Sequence, residues 1–235
     1  MKSFSVHSLK AGYGKTEVLH GVDIDIPINQ TTAIVGANGC GKTTLLKCMA
    51  NIIKPFDGVC LLDDIALKKI KPRELARRIA YCAQEHPDCG FMTVRELVSM
   101  GRYPYGNEPK SVTDKAVDEA MTLAGVFDCA NFRLGELSSG YSHRAWLALA
   151  LARQPELLLL DEPTNFLDPL KKQQFADILQ YLKREKMVTV VMVTHDLQFV
   201  SQTADKVIAV KEGRAVETGT VSEVMNNAFI EEIYA

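Results

Sequence analysis

Residues 36–43 read Gly36-Ala37-Asn38-Gly39-Cys40-Gly41-Lys42-Thr43, with Thr44 next. Gly36, Gly41, Lys42 and Thr43 stand at the fixed places of the spacing G-x-x-x-x-G-K-[ST]. An apolar, β-type run, Thr31 to Val35, precedes the segment, and a helix-compatible run, Thr44 to Ala50, follows it. This context suits an anion. Glycines let the backbone wrap closely, successive N–H groups point into the concavity, and the helix N-terminus adds positive potential. Asn38, Gly39, Cys40 and Thr44 belong to the same cradle. Lys42 would reach the terminal phosphates, and the Thr43 hydroxyl would ligate magnesium. A chance glycine-rich turn carrying Lys-Thr is the alternative, and the flanking strand and helix argue against it. The expected ligand is a nucleoside triphosphate.

Leu157-Leu158-Leu159-Leu160-Asp161-Glu162-Pro163 is an apolar strand ending in two carboxylates. Ligands of open α/β sheets bind beyond the carboxyl ends of parallel strands. Asp161 is suited to hold magnesium through water, and Glu162 to polarise an attacking water. Alone, the run would equally fit a strand followed by an acidic turn. Downstream of a phosphate loop, the catalytic reading prevails.

With 235 residues, 47% hydrophobic and 24% charged, the chain is long enough for one α/β domain with an inserted lobe. A net charge of -2 argues against a nucleic-acid-coating or polybasic membrane surface. The six cysteines form no C-x-x-C pair and read as small hydrophobes in a reducing compartment. Cys40 is set apart by its place near a helix N-terminus, where thiolates are favoured. No signal-peptide core or membrane-span-length apolar run is present, so any membrane span is expected from another chain.

Residues 4–28 alternate in β fashion, with Val22, Ile24, Ile26 and Ile28 separated by Asp23 and Asp25 where the pattern is clearest. Strands are also predicted at 58–62, 79–83, 157–161, 188–194, 205–210 and 214–218. From about 86 to 156 the pattern turns helical: 93–101, 114–124 and 141–153 carry helices, and 102–109 reads as a Pro/Gly-rich loop. A helix over 169–185 and amphipathic helices running to Tyr234 complete the chain. The expected fold is α/β over residues 1–235: a P-loop NTPase core with a mainly parallel sheet, an antiparallel β subdomain and an inserted helical subdomain.

The whole chain resembles the ATPase subunit of ATP-binding-cassette (ABC) transporters. Beyond the two motifs above, four others fall in that family's order. By resemblance, Tyr13 stacks on adenine, Gln84 touches magnesium and communicates with membrane subunits, and His195 senses the γ-phosphate. Asn165-Phe166-Leu167-Asp168 matches the loop that crosses the dimer interface. Asp168 before Pro169 also reads as a helix N-cap with proline at N1, and both roles are compatible. Tyr13 and His195 also fit purely structural parts, as a turn aromatic and a packed histidine.

Residues 137–141, Leu-Ser-Ser-Gly-Tyr, stand where the family has LSGGQ. Ser138, Ser139 and Gly140 would face the γ-phosphate of ATP on a second subunit, through a serine hydroxyl, a backbone N–H and a helix N-terminus. Ser139 replaces a glycine; a positive φ there would strain it and slow hydrolysis. The resemblance therefore implies ATP and magnesium as cofactors and a head-to-tail homodimer closed by ATP. It also implies polytopic permease subunits, through them a solute-binding protein, and a peripheral place on the cytoplasmic membrane face. Thr93 to Val98, Gly101 to Tyr105, Arg144-Ala145-Trp146 and Ile233-Tyr234 look most like importers of iron–siderophore, haem or cobalamin, while Lys171-Lys172 departs from them. A manganese or zinc importer, or a non-transport ABC ATPase with weak turnover, is the alternative.

Overall fold

The computed structural model describes residues 1–165 and 167–224. Phe166, the predicted helices beyond Val224 and the Ile233-Tyr234 ending lie outside the described residues. In chain order the strands are β1 Phe4–Tyr13, β2 Thr16–Ile26, β3 Thr31–Val35, β4 Asp57–Leu62, β5 Ile65–Ala66, β6 Ile79–Cys82, β7 Leu157–Asp161, β8 Thr189–Val193, β9 Lys206–Lys211 and β10 Arg214–Thr220. The α-helices are α1 Lys42–Met49, α2 Pro72–Arg78, α3 Val94–Ser99, α4 Lys110–Ala124, α5 Ser139–Ala152, α6 Pro169–Arg184, α7 Leu197–Thr203 and α8 Val221–Val224.

Among the described residues the strands form two sheets, an antiparallel one ordered β2-β1-β4-β5 and a larger one ordered β10-β9-β3-β8-β7-β6. The larger sheet is parallel throughout except that β10 runs against β9. β3, β7 and β8 are buried at every position, as strands covered on both faces must be. Their side chains alternate between two cores. Ile34, Leu157, Leu159, Val191 and Val193 pack with the antiparallel sheet and α1. Ala33, Val35, Leu158, Leu160, Val190 and Met192 pack instead with the helical layer. Each buried Val, Leu, Ile or Met among them contributes roughly 1.5–3 kcal/mol.

In β2, Leu19, Val22, Ile24 and Ile26 are buried while Asp23 and Asp25 are exposed. Ile28 breaks the expected alternation: it follows the strand in a turn and is exposed.

Residues 86–156 hold α3, α4 and α5, with an isolated bridge, Thr93 to Arg133, in place of strands. A capping box starts α3: the Thr93 hydroxyl accepts from Glu96 N–H while the Glu96 carboxylate accepts from Thr93 N–H. The expected loop at 102–109 is a correction, because Met100–Tyr105 forms a 3-10 helix with Pro104 inside it. Buried Arg102 holds that turn in place. Its guanidinium donates to the Ala152 carbonyl at 2.7 Å and to Glu108, and lies 3.6 Å from the Tyr105 ring centre. Two short helices, α2 and α7, have no counterpart in the sequence reading. Seven residues carry too little periodicity, although Pro72 at the first turn of α2 and the Asp196 cap of α7 were usable signals.

Arg102→Ala should lower stability by about 3–5 kcal/mol in urea unfolding, since it leaves the Glu108 carboxylate part-buried without its cation. A loss below about 1 kcal/mol would mean that the pair is exchangeable with water.

Candidate functional site

The phosphate-loop segment turns between β3 and α1 through backbone angles that favour glycine. Gly36 has φ 150, and a Cβ there would meet the Val210 carbonyl oxygen at 2.1 Å. Gly41, at φ 106, caps the start of α1 with a Cβ position 2.8 Å from Leu19. Any larger residue at either place would push the loop off the sheet. Lys42 folds back over this loop. Its ammonium donates to the Gly36 and Ala37 carbonyls, each at 2.8 Å, and the residue is 6% exposed.

Above the loop lies a cavity of about 680 Å³ lined by Tyr13, Val18, Ala37, Asn38, Gly39, Gly41, Lys42, Thr43, Thr44, Gln84, Glu162, Asn165 and His195. Thus Tyr13, Gln84, Glu162 and His195, spread over 183 positions of sequence (195 − 13 + 1), border one space with the loop. Tyr13 ends β1 and is 51% exposed, with its hydroxyl 3.5 Å from the Thr44 hydroxyl. Gln84 follows β6 after one residue.

The acidic pair divides its work. Asp161 is buried, accepting from the Thr43 hydroxyl at 3.0 Å on one oxygen and from the Tyr81 hydroxyl at 3.0 Å on the other. Glu162 sits at φ 50, in the left-handed region, and its N–H donates to the Val193 carbonyl at 2.8 Å. Its carboxylate lies 2.9 Å from His195 Nδ1. A non-glycine residue held in this conformation costs about 1–3 kcal/mol.

Several expected site residues stand apart from the cavity. Gly36, Cys40 and Asp161 lie behind its surface, whereas Ser138, Ser139, Gly140 and Asp168 lie elsewhere. Those last four are nonetheless close to one another. The Lys171 ammonium pairs with Asp168 at 2.9 Å and is 3.8 Å from where a Gly140 Cβ would be. Asp168 caps α6, accepting from Lys171 N–H, with Pro169 in the first turn, as the sequence reading expected.

Two expectations need correction. Burial pushes the Cys40 thiol up, outweighing the nearby Lys42 ammonium, so this cysteine is not an activated thiolate. Ser139 is the first residue of α5 and is absent from the left-handed positions, so no backbone strain attends it. Sequence reasoning also missed Val18, which lines the cavity near Tyr13, and Tyr81. An aromatic hydroxyl three residues before Gln84 on a strand was the available signal for Tyr81. Burial and the Asp161 carboxylate both raise its pKa, so Tyr81 stays a proton donor.

Beyond Gln84 the chain is fastened to the helical lobe. The His86 ring lies on Trp146 of α5 at 4.5 Å and 7°, with His143 5.7 Å away. Burial, with help from His143, lowers the His86 pKa to about 4, which keeps the stacked ring neutral at neutral pH.

Residues 19–165 match the ABC transporter family. The ferric enterobactin transport ATP-binding protein FepC of Escherichia coli (strain K12) is 38% identical over 231 residues, covering 96% of this chain and 84% of that protein. The probable siderophore transport system ATP-binding protein YusV of Bacillus subtilis (strain 168) is 34% identical over 238 residues, 100% of this chain and 86% of that one. A bacterial ABC transporter cassette solved as a dimer superposes with a TM-score of 0.84 at 26% identity, covering 93% of this chain and 98% of that chain.

Ser139→Gly should leave ATP hydrolysis unchanged or slightly lowered, because no strain is relieved and glycine in the first turn of α5 lowers helix propensity by less than about 1 kcal/mol. A more than threefold rise in turnover would show that the serine side chain obstructs the site.

Proposed function

The chain belongs to the ABC transporter family, and from that premise we propose that it is the ATP-hydrolysing subunit of an importer for iron held by a siderophore or a related chelate. One observation carries the hydrolytic part: Lys42, Thr43 and the Glu162–His195 pair converge on one cavity at the ends of parallel strands, with Asp161 bonded to Thr43 just behind its surface. The siderophore class rests on relatives named for ferric enterobactin and siderophore transport. Haem and cobalamin are neighbouring chelate classes, and manganese or zinc is the alternative cargo.

In the proposed mechanism adenine stacks on exposed Tyr13, and the phosphates enter the loop. Lys42 exchanges its two carbonyl partners for phosphate oxygens. Thr43, Asp161 and Gln84 offer hard oxygen donors, which suit magnesium. When bound, that ion neutralises charge on the β- and γ-phosphates. Glu162, held by His195, orients the attacking water and takes its proton. His195 keeps an exposed ring edge for the γ-phosphate. The Cys40 thiol, its pKa raised by burial, moves no proton in this chemistry, and the residue serves the cradle through its backbone.

A head-to-tail homodimer completes each site in this reading. The dimeric cassette is a precedent for the assembly. Ser138, Ser139, Gly140 and Asp168 would then serve ATP on the second copy, and Lys171, paired with Asp168, lies beside Gly140. Unstrained Ser139 weighs against the weakly turning-over alternative, and Tyr141 is the other departure from the family signature.

Coupling would run from Gln84 through the His86–Trp146 stack to α5. Phe91, Met100 and Tyr103 flank α3 with exposed apolar surface, suited to a cytoplasmic helix of a polytopic permease. A solute-binding protein would act through that permease. No described helix is long and apolar enough to cross a membrane. The transport relatives support a peripheral place at the membrane for this subunit, which this reading puts on the cytoplasmic face. Nucleic acid has no role in this reading.

Glu162→Gln should retain ATP binding, lose about 10²–10⁴-fold in hydrolysis and accumulate an ATP-bound dimer by light scattering. Wild-type turnover in that variant would remove Glu162 from the chemistry. Gln84→Ala should bind ATP normally yet uncouple hydrolysis from uptake in vesicles containing the permease. Unimpaired uptake there would defeat the coupling assignment.

A further inference from the structure

Asp161 is 2% exposed, and both of its carboxylate oxygens are engaged: Oδ1 accepts from the Thr43 hydroxyl and Oδ2 from the Tyr81 hydroxyl, each at 3.0 Å. Tyr81 lies on β6 directly beside Leu159 of β7, two positions before Asp161. The two-residue period of a strand puts Leu159 and Asp161 on one face, and a tyrosine on the adjoining strand is long enough to span the diagonal. The reach is therefore a product of parallel register.

A carboxylate held on one side only can rotate about its terminal torsion, which is broad. The phenol on Oδ2 removes that freedom and leaves Oδ1 turned toward Thr43. We propose that Tyr81 is a positioning residue for magnesium: its O–H fixes Oδ2 so that Oδ1 stays aimed at the place a cation shared with the Thr43 hydroxyl would occupy. This inference rests on the ATPase reading above. Outer hydrogen-bond partners of metal ligands are typically worth about 10–100-fold in metal affinity.

Tyr81→Phe keeps the ring in β6 and removes only the hydroxyl. The measurement is binding of a fluorescent ATP analogue to full-length protein, in excess magnesium and again in EDTA. Magnesium should tighten binding to the variant about tenfold less than to the parent, while affinity in EDTA stays the same. The magnesium concentration for half-maximal hydrolysis should rise in step, with kcat largely recovered at saturating metal. In an Asp161→Asn background, Tyr81→Phe should have no further effect on the magnesium response.

An unchanged magnesium response in Tyr81→Phe would overturn the proposal. So would an equal loss of affinity in EDTA, or a full additional loss in the Asp161→Asn background. A parent protein that binds no ATP in either buffer would instead sink the ATPase reading itself, so the two failures are distinct.

Discussion

The site depends on the level register of four parallel strands. Ile34 of β3 and Asp161 of β7 both pair with Val193 of β8, and Cys82 of β6 pairs with Leu160. The carboxyl ends therefore stand in a row. Gly36, Gln84, Glu162 and His195 each come within two residues of a strand end. A one-residue slip of any strand would turn its apolar side chains to the wrong core. The hydrophobic faces that hold the register thus also aim the polar groups, and stability and site geometry have one cause.

Buried polar groups gather where that row ends. Glu162 takes a left-handed backbone, Asp161 is buried with two donors, and Thr194, wholly buried, faces the Thr164 hydroxyl at 3.3 Å. Each would be costly in a loose loop. Fully buried β7 and β8 on the inward side make the cost tolerable, because the strands cannot shift to relieve it. Asp196 extends the same logic outward. It caps α7 through Phe199 N–H and pairs with Lys172 of α6, so the turn carrying His195 is held from both sides.

What could be read from residues alone follows the length of each signal. The phosphate loop announces itself because one anion requires glycines, a lysine and a hydroxyl at fixed spacing. Leu157 to Asp161 announces itself because a strand buried on both faces leaves no polar gap. Much less was visible where the determinant is a contact between distant segments. Arg102, in a stretch rich in proline and glycine, orders its turn through Glu108, the Tyr105 ring and a carbonyl at the distant end of α5. Ser139 reads as a strained replacement for glycine until α5 is seen to begin there. Cys40 reads as reactive from its neighbours in sequence, but burial outweighs the Lys42 charge. Tyr81 carries no motif at all; its role exists only across β6 and β7.

Lys42 already has partners within its own turn, two carbonyls at 2.8 Å. A bare ammonium beside a helix N-terminus would capture any passing anion. Here an incoming ligand must first outbid two hydrogen bonds in a poorly hydrated place. A single phosphate group offers little beyond what it displaces, whereas a triphosphate brings several charged oxygens and the loop's remaining N–H donors at once. The back-folded lysine therefore acts as a threshold. Such a cradle would favour a ligand with several phosphates over a lone phosphate or a carboxylate.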